Sequence, residues 1–461
     1  MSSVYEISKE QANNILQIEE NFLNDVKSKE IKPAKLTETV SAFANAAGGD
    51  IYLGVNENNI TNKRTWLGFS SQEEANDILH VLFGLSPLGN YFNYEFLRCD
   101  GMDGLVLHLN IKKTKEIIKS SSGEIFSRVN AGKVKLDTQE KIKRLELDKG
   151  IVSFEDEWVH VALRKIENSL TILEFLINVI PNGEPIAYLR NQELVKADSE
   201  YVKVCGVLLF CDEPAIYLPK RSSIKLMRYR TKEDDIGREF LEGTPHTIEG
   251  SIYELIYKAV DTTVDIVQSM QRLGESGLES IRYPKETLHE VITNAVLHRD
   301  YSITADIQIR IFDNRIEVES PGKLPGHVTV QNILDTQSAR NPMIVRLINK
   351  FPDPPNKDVG EGLNTAFRAM ELLRLKPPTI IEKDNSVLVS IKHESLNSPE
   401  ELVLEYMNTH DEITNSIGRE ITGIKSENTM KQVFYRLKNR NMLEQVPEKR
   451  GAAAAWRKCA E

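Results

Sequence analysis

The chain has 461 residues, 40% hydrophobic and 27% charged, with 58 Lys and Arg against 68 Asp and Glu for a net charge of −10. Two to four domains are expected from that length, wholesale disorder is excluded, and the acidic balance excludes a protein that coats nucleic acid with its whole surface, so any such contact is a local patch. There is no apolar run of about 18 residues and no signal-like N-terminus, and the 4 cysteines form no Cys-x-x-Cys pair, so the expectation is a cytoplasmic chain without membrane contact, disulfide framework or structural zinc.

A multidomain α+β protein is expected, in four blocks. In the first, 1–145, Leu36, Val40 and Phe43 recur at helical spacing, Gly48-Gly49 stops the helix, and Ile51, Leu53 and Val55 alternate at the strand period. Leu105, Leu107, Leu109 and Ile111 alternate likewise, and a further β signal runs from Ile125 to Val134. Two basic groups stand out, Lys27, Lys29, Lys32 and Lys35, then Lys112, Lys113, Lys115 and Lys119; each is either a nucleic-acid patch or a solvated face. Block 146–270 reads as a connecting α/β domain with strands at Val204 to Phe210 and Ser223 to Met227. Cys205 and Cys211, which bracket the first strand, read as buried free thiols.

Block 271–395 opens with a helix, Lys285 to Leu297, followed by strands Ala305 to Phe312 and Arg315 to Val318 around the turn signal Asp313-Asn314. Pro-Gly turns follow, then Gly360-Glu361-Gly362 opens a helix to Leu375, and a last strand spans Ser386 to Ile391. In block 396–461, Ser398-Pro399-Glu400-Glu401 supplies an N-cap, an N1 proline and an acidic first turn. Helices at Asn415 to Ile421 and Ser426 to Arg440 follow, then two short segments, Leu443 to Val446 and Ala453 to Arg457, able to form a β wing. The leading reading is a winged helix-turn-helix whose third helix reads DNA while Lys431, Arg436, Lys438 and Arg440 hold phosphates. A protein-contact module is the alternative. Met430, Val433, Phe434 and Leu437 belong to the core in either case, and Trp456 packs the wing or touches the nucleic-acid backbone.

The strongest chemical signal is Glu290-x-x-x-Asn294, which puts a carboxylate and an amide on one helix face. A carboxylate deprotonates and positions water, and an amide oxygen suits a magnesium ion that bridges phosphates. Gly322 after the hairpin and Gly360-x-Gly362 before a helix are places where bare backbone and helix N-terminal amides meet phosphate. This ordered set resembles the GHKL-like ATPase sandwich of gyrase-type, heat-shock, histidine-kinase and mismatch-repair ATPases. The runs Asn294-Ala295-x-x-His298-Arg299-Asp300-Tyr301, Ser320-Pro321-Gly322, Arg340-Asn341-Pro342 and Gly360-Glu361-Gly362-Leu363 resemble the C-terminal domain of the RecG-related putative transcriptional regulator family. The resemblance implies ATP and Mg2+ as cofactors, Asn294 as magnesium ligand, Glu290 as activator of the hydrolytic water, and Gly322, Gly360 and Gly362 in the nucleotide pocket. Ser320 stands where the wider fold has an Asp and that family an Asn, so the adenine contact departs from the pattern. A helicase is not supported, because no Gly-x-x-x-x-Gly-Lys-[Ser/Thr] loop is present.

The first block carries a second resemblance. Glu20-x-x-x-x-Asp25-Val26-Lys27, Ser41-Ala42-Phe43-Ala44-Asn45-Ala46-Ala47-Gly48-Gly49, Leu53-Gly54-Val55-Asn56 and Arg128-Val129-Asn130-Ala131-Gly132 resemble the Schlafen-type AlbA domain. In Schlafen nucleases acidic residues at such positions hold a divalent metal; here Glu20 matches, Asp25 replaces a Glu, and Asn56, with Glu57 beside it, stands in for the third carboxylate. The joint expectation is an ATP-binding regulator or phage-defence component, a weak ATPase whose nucleotide state controls DNA binding and self-association. Its partners would be nucleic acid, reached by the C-terminal helix and Lys27, a second copy of the chain, and an operon-encoded protein. The alternative is a metal-dependent nuclease acting on RNA or single-stranded DNA through Glu20 and Asp25. A scaffold with both sites decayed is the third reading.

Overall fold

A computed structural model describes residues 4–459 apart from 58–62, 198, 235–236, 275–276, 281–282, 337, 357–361, 374, 394–398, 409, 423, 425, 441, 447–448 and 450–453. It divides into two compact units, one of Met1–Ala369 with Pro378–Ile391, the other of Met370–Pro377 with Lys392–Glu461.

In the larger unit the first region is built on a five-stranded sheet ordered Val4–Ile7, Phe92–Cys99, Val106–Lys112, Gly48–Leu53, Asn24–Lys27. The helix Pro33–Asn45 starts at a proline, whose fixed φ suits the first helical position, and drives Leu36, Val40 and Phe43 into a core with Ile51, Leu53, Leu107 and Leu109. The Gly48-Gly49 break is sterically enforced. Gly49 has φ +143°, and a Cβ there would lie 2.3 Å from the Leu23 carbonyl and 2.6 Å from the Phe43 ring. Asn45 is a buried clamp, donating to the Ile118 and Phe126 carbonyls at 2.8 and 2.9 Å and accepting from Ile118 N–H at 2.9 Å.

Val204–Phe210, expected as a strand, is a helix with every residue buried. An all-apolar run lacks the polar face that separates the two periods, so its pattern fits both. Cys205 and Cys211 are buried free thiols, as expected, but on this helix and at its C-cap.

A six-stranded sheet follows, in the order Leu241–Ile248, Ile224–Tyr229, Ile307–Ile311, Arg315–Pro321, Ser386–Lys392, Thr379–Glu382. Its first two strands come from the block expected to be a separate connecting domain, so one sheet runs across the 270/271 boundary. Ile224–Tyr229 pairs parallel with Ile307–Ile311, while Ile307–Ile311 and Arg315–Pro321 form the expected hairpin. Helices Ile252–Ser269 and Lys285–Leu297 pack together, and the latter also meets strand Arg315–Pro321.

In the smaller unit, helices Pro399–Tyr406, Asn415–Thr422 and Glu427–Asn439 combine with a sheet of Ile413–Thr414, Ala455–Lys458 and Leu443–Gln445. Met430, Val433, Phe434 and Leu437 are core, and Trp456 packs there too, its ring 5.4 Å from Phe434. Gly418 lets two helices close, since a Cβ there would lie 2.8 Å from the Phe434 ring.

Candidate functional site

The Lys285–Leu297 helix presents Glu290 and Asn294 to one cavity of about 690 Å³. Asn294 Nδ2 donates to Glu290 Oε1 at 2.6 Å. That bond uses one of the amide's two N–H donors, and the amide oxygen takes no part in it. Burial raises the Glu290 carboxyl above its ordinary value, opposed by the Asn294 hydrogen bond and the His289 charge.

Gly362 heads the helix Gly362–Leu372 and lines the same cavity. A Cβ on it would fall 2.3 Å from Glu290 Oε1, so only glycine brings this helix end to the carboxylate. A helix N-terminus there adds partial positive charge. Gly360 lies outside the described residues.

Gly322 also lines the cavity, with φ +106°; a Cβ there would lie 2.5 Å from Asp300 Cβ, so this glycine lets the turn close on Asp300. Ser320 borders the cavity, but its hydroxyl donates to the Ala295 carbonyl at 2.6 Å. It fastens strand to helix.

The wall from Lys323 to Val328 is held by groups far away in sequence. Lys113 Nζ, expected in a basic patch, instead donates to the Leu324 and Val328 carbonyls at 2.8 and 3.1 Å. Glu382 accepts from Leu324 N–H at 2.8 Å, and Arg340 donates to Lys323 O at 2.6 Å and Leu147 O at 2.7 Å. Asn341 donates to the Leu297 and Arg299 carbonyls at 2.9 and 2.8 Å, so Arg340-Asn341 builds the site's frame. Sequence reasoning missed Lys113 and carried His298 only as part of a motif run, with no role of its own. The available signal for His298 was its i+4 spacing from Asn294.

In the first region Glu20 and Asp25 come together, but not as an open pair. Lys27 forms ion pairs with both, and Arg128 Nη1 meets Asp25 Oδ2 at 3.1 Å while its guanidinium lies 4.1 Å from the Phe43 ring centre. Asp25 is 3% exposed. Burial and then the Asp25 charge raise the Glu20 carboxyl. Asn56 Oδ1 is buried without a partner, while Glu57 is exposed and pairs with Arg64 at 3.5 Å. Among the described residues no group of three or more His, Cys, Asp and Glu is placed to hold a metal ion. Lys27, expected to meet nucleic acid, is turned onto these carboxylates.

On the Glu427–Asn439 helix Lys431 pairs with Glu427 at 2.7 Å and Arg436 with Glu400 at 2.6 Å. Lys438 and Arg440, the latter at the C-cap, are exposed.

Residues 17–137 match the family model described as "Schlafen, AlbA_2", and residues 304–391 match that described as "Putative ATP-dependent DNA helicase recG C-terminal". The chain therefore joins a Schlafen-type AlbA domain to a RecG-related, ATPase-like C-terminal domain. Glu290 and Asn294 lie just ahead of the second matched segment. A solved structure, the DIP2311 protein from Corynebacterium diphtheriae, is similar over 97% of this chain and 96% of its own, at 17% identity and a TM-score of 0.40. No curated protein matches the chain. No helix among the described residues is long and apolar enough to cross a membrane.

Proposed function

We propose that the protein binds ATP with Mg2+ in the cavity of the ATPase-like domain, hydrolyses it weakly, and uses nucleotide state to control nucleic-acid binding and self-association. The observation that carries this reading is the convergence of Glu290, Asn294 and Gly362 on one cavity. Asn294 Oδ1 fits a hard cation, since Nδ2 alone is committed to Glu290. A bound magnesium ion would neutralise phosphate charge and fix the phosphate chain. Glu290 would orient a water and take its proton, and the Gly362 amides would meet phosphate oxygens.

Three helices with a small three-stranded sheet support the winged-helix reading of the smaller unit, with Lys438 and Arg440 as phosphate contacts and Lys431 and Arg436 recruited from weak surface pairs. The AlbA match supports a second nucleic-acid surface. A role in transcription regulation or phage defence, with an operon-encoded partner, is consistent with this domain pair. Metal-dependent cleavage at Glu20 and Asp25 has weaker support, because Lys27 and Arg128 already neutralise that pair.

Calorimetry with Mg-ATP tests the reading. The parent protein binds, Asn294→Ala loses most of the affinity, and Glu290→Gln binds without turnover. If both variants bind and hydrolyse ATP like the parent, the cavity is misassigned.

A further inference from the structure

His298 has no task in the scheme above, yet it lines the same cavity. It sits at the C-cap of the Lys285–Leu297 helix, its N–H donating to Asn294 O at 3.0 Å. At 1.5 Å per residue it is about 6 Å along the axis from Asn294 and about 12 Å from Glu290. The three residues thus form a row on one helix face, with Glu290 and Gly362 at one end and His298 at the other.

The ring is placed unusually for a packed histidine. Its Nδ1 is enclosed without a hydrogen-bond partner and the residue lines the cavity, which leaves Nε2, on the opposite edge of the ring, as the nitrogen that can address a ligand there. A neutral imidazole carries one proton. An enclosed N–H without an acceptor is the costlier orphan, so the proton is assigned to Nε2, where it is directed into the cavity.

We propose that His298 reads the nucleobase, its Nε2–H donating to a ring-nitrogen or carbonyl acceptor while the phosphates lie at the Glu290, Asn294 and Gly362 end. This rests on the nucleotide reading and specifies which end of the cavity takes the base. Two further observations favour it. Ser320, at the position expected to contact the base, has its hydroxyl committed to Ala295 O. Ala295, Val318 and Val345 line the cavity with His298 and provide apolar surface suited to a flat ring. A phosphate, by contrast, calls for cations or helix-end amides, and the helix end at Gly362 stands beside Glu290, at the opposite end of the row from His298.

The test measures binding of ATP and of inorganic tripolyphosphate, which has no base, to the full chain and to His298→Phe and His298→Gln in the presence of Mg2+. His298→Phe is expected to weaken ATP binding about fivefold, the worth of one neutral hydrogen bond, and to leave tripolyphosphate unchanged. His298→Gln keeps an N–H donor and restores part of the ATP affinity. Thermal melting of each variant separates a lost contact from a lost fold. If His298→Phe weakens ATP and tripolyphosphate equally, or neither, the base-reading role is overturned while the nucleotide site stands. If the parent binds neither ligand, the nucleotide reading falls and the role of His298 with it.

Discussion

Lys113 reaches across the larger unit to donate to the Leu324 carbonyl at 2.8 Å, so a side chain of the AlbA domain holds one wall of the ATPase-like cavity. Burial pushes its amine below the ordinary lysine value, partly offset by Glu382. Nearby, the buried Lys149 Nζ donates to the Thr114 and Ala44 carbonyls at 2.6 and 3.1 Å, fixing the segment after Lys113. Lys113→Met would leave the Leu324 and Val328 carbonyls unpaired and cost about 1–3 kcal/mol of stability. Because both carbonyls belong to the wall, ATP affinity should fall as well. A variant with unchanged melting temperature and unchanged ATP affinity would show that the wall stands without this lysine.

The two glycines of the cavity should respond differently to alanine. At Gly322 the new Cβ meets Asp300 Cβ at 2.5 Å and the backbone is at φ +106°, so both sterics and conformation oppose it. A loss of about 1–3 kcal/mol is expected there. At Gly362 the obstacle is the end of the Glu290 side chain, 2.3 Å away, which can swing aside. Gly362→Ala should therefore melt near the parent temperature yet lose ATP turnover, because Glu290 is displaced. Chemical denaturation and a phosphate-release assay on both variants check the contrast, and equal destabilisation of the two would contradict it.

What the residues disclosed in advance depended on how local the determining contacts are. The Lys285–Leu297 helix was read to its ends because its apolar period and its Glu-x-x-x-Asn face are both local. The Gly48-Gly49 stop was equally readable, since glycine at a helix end has few other uses. Val204–Phe210 was misread because burial on all sides erases periodicity. Lys113 looked like one more member of a lysine group, as no local pattern announces a carbonyl 211 residues away. Likewise, nothing local to Asp25 announces the Arg128 guanidinium, 103 residues further on, that pairs with it.

A cluster on the AlbA sheet gives the fold a pH dependence. His108 lies between Asp50 at 2.7 Å and Glu95 at 2.9 Å and stacks on Tyr52 with ring centres 4.6 Å apart. Burial alone would lower the imidazole, but hydrogen bonds to the two carboxylates outweigh it and raise it above 6.5. A cation favoured in the folded state stabilises fully below the unfolded pKa and stops contributing as pH rises through the folded value. Melting temperature should therefore decline as pH rises from 6.5 upward through the folded value. His108→Gln should remove that decline, and a decline that persists in the variant would assign it to other groups.

The smaller unit offers the most direct test of nucleic-acid contact by an acidic chain. With a net charge of −10, attraction to DNA must come from a few cations, so affinity should fall steeply with salt. Lys431 and Arg436 already have carboxylate partners at 2.7 and 2.6 Å, whereas Lys438 and Arg440 lie exposed. Surface pairs of this kind are worth at most about 1 kcal/mol, so phosphate can displace the carboxylates, but each displacement returns part of the gain. Replacing Lys438 and Arg440 by glutamine should therefore weaken duplex binding more than replacing Lys431 and Arg436. It should also flatten the plot of log affinity against log salt by about 0.9 per lost phosphate contact. Fluorescence anisotropy over a salt series separates the pairs. If neither double variant changes affinity or slope, the Glu427–Asn439 helix is a protein-contact element, and nucleic-acid binding belongs to the AlbA domain.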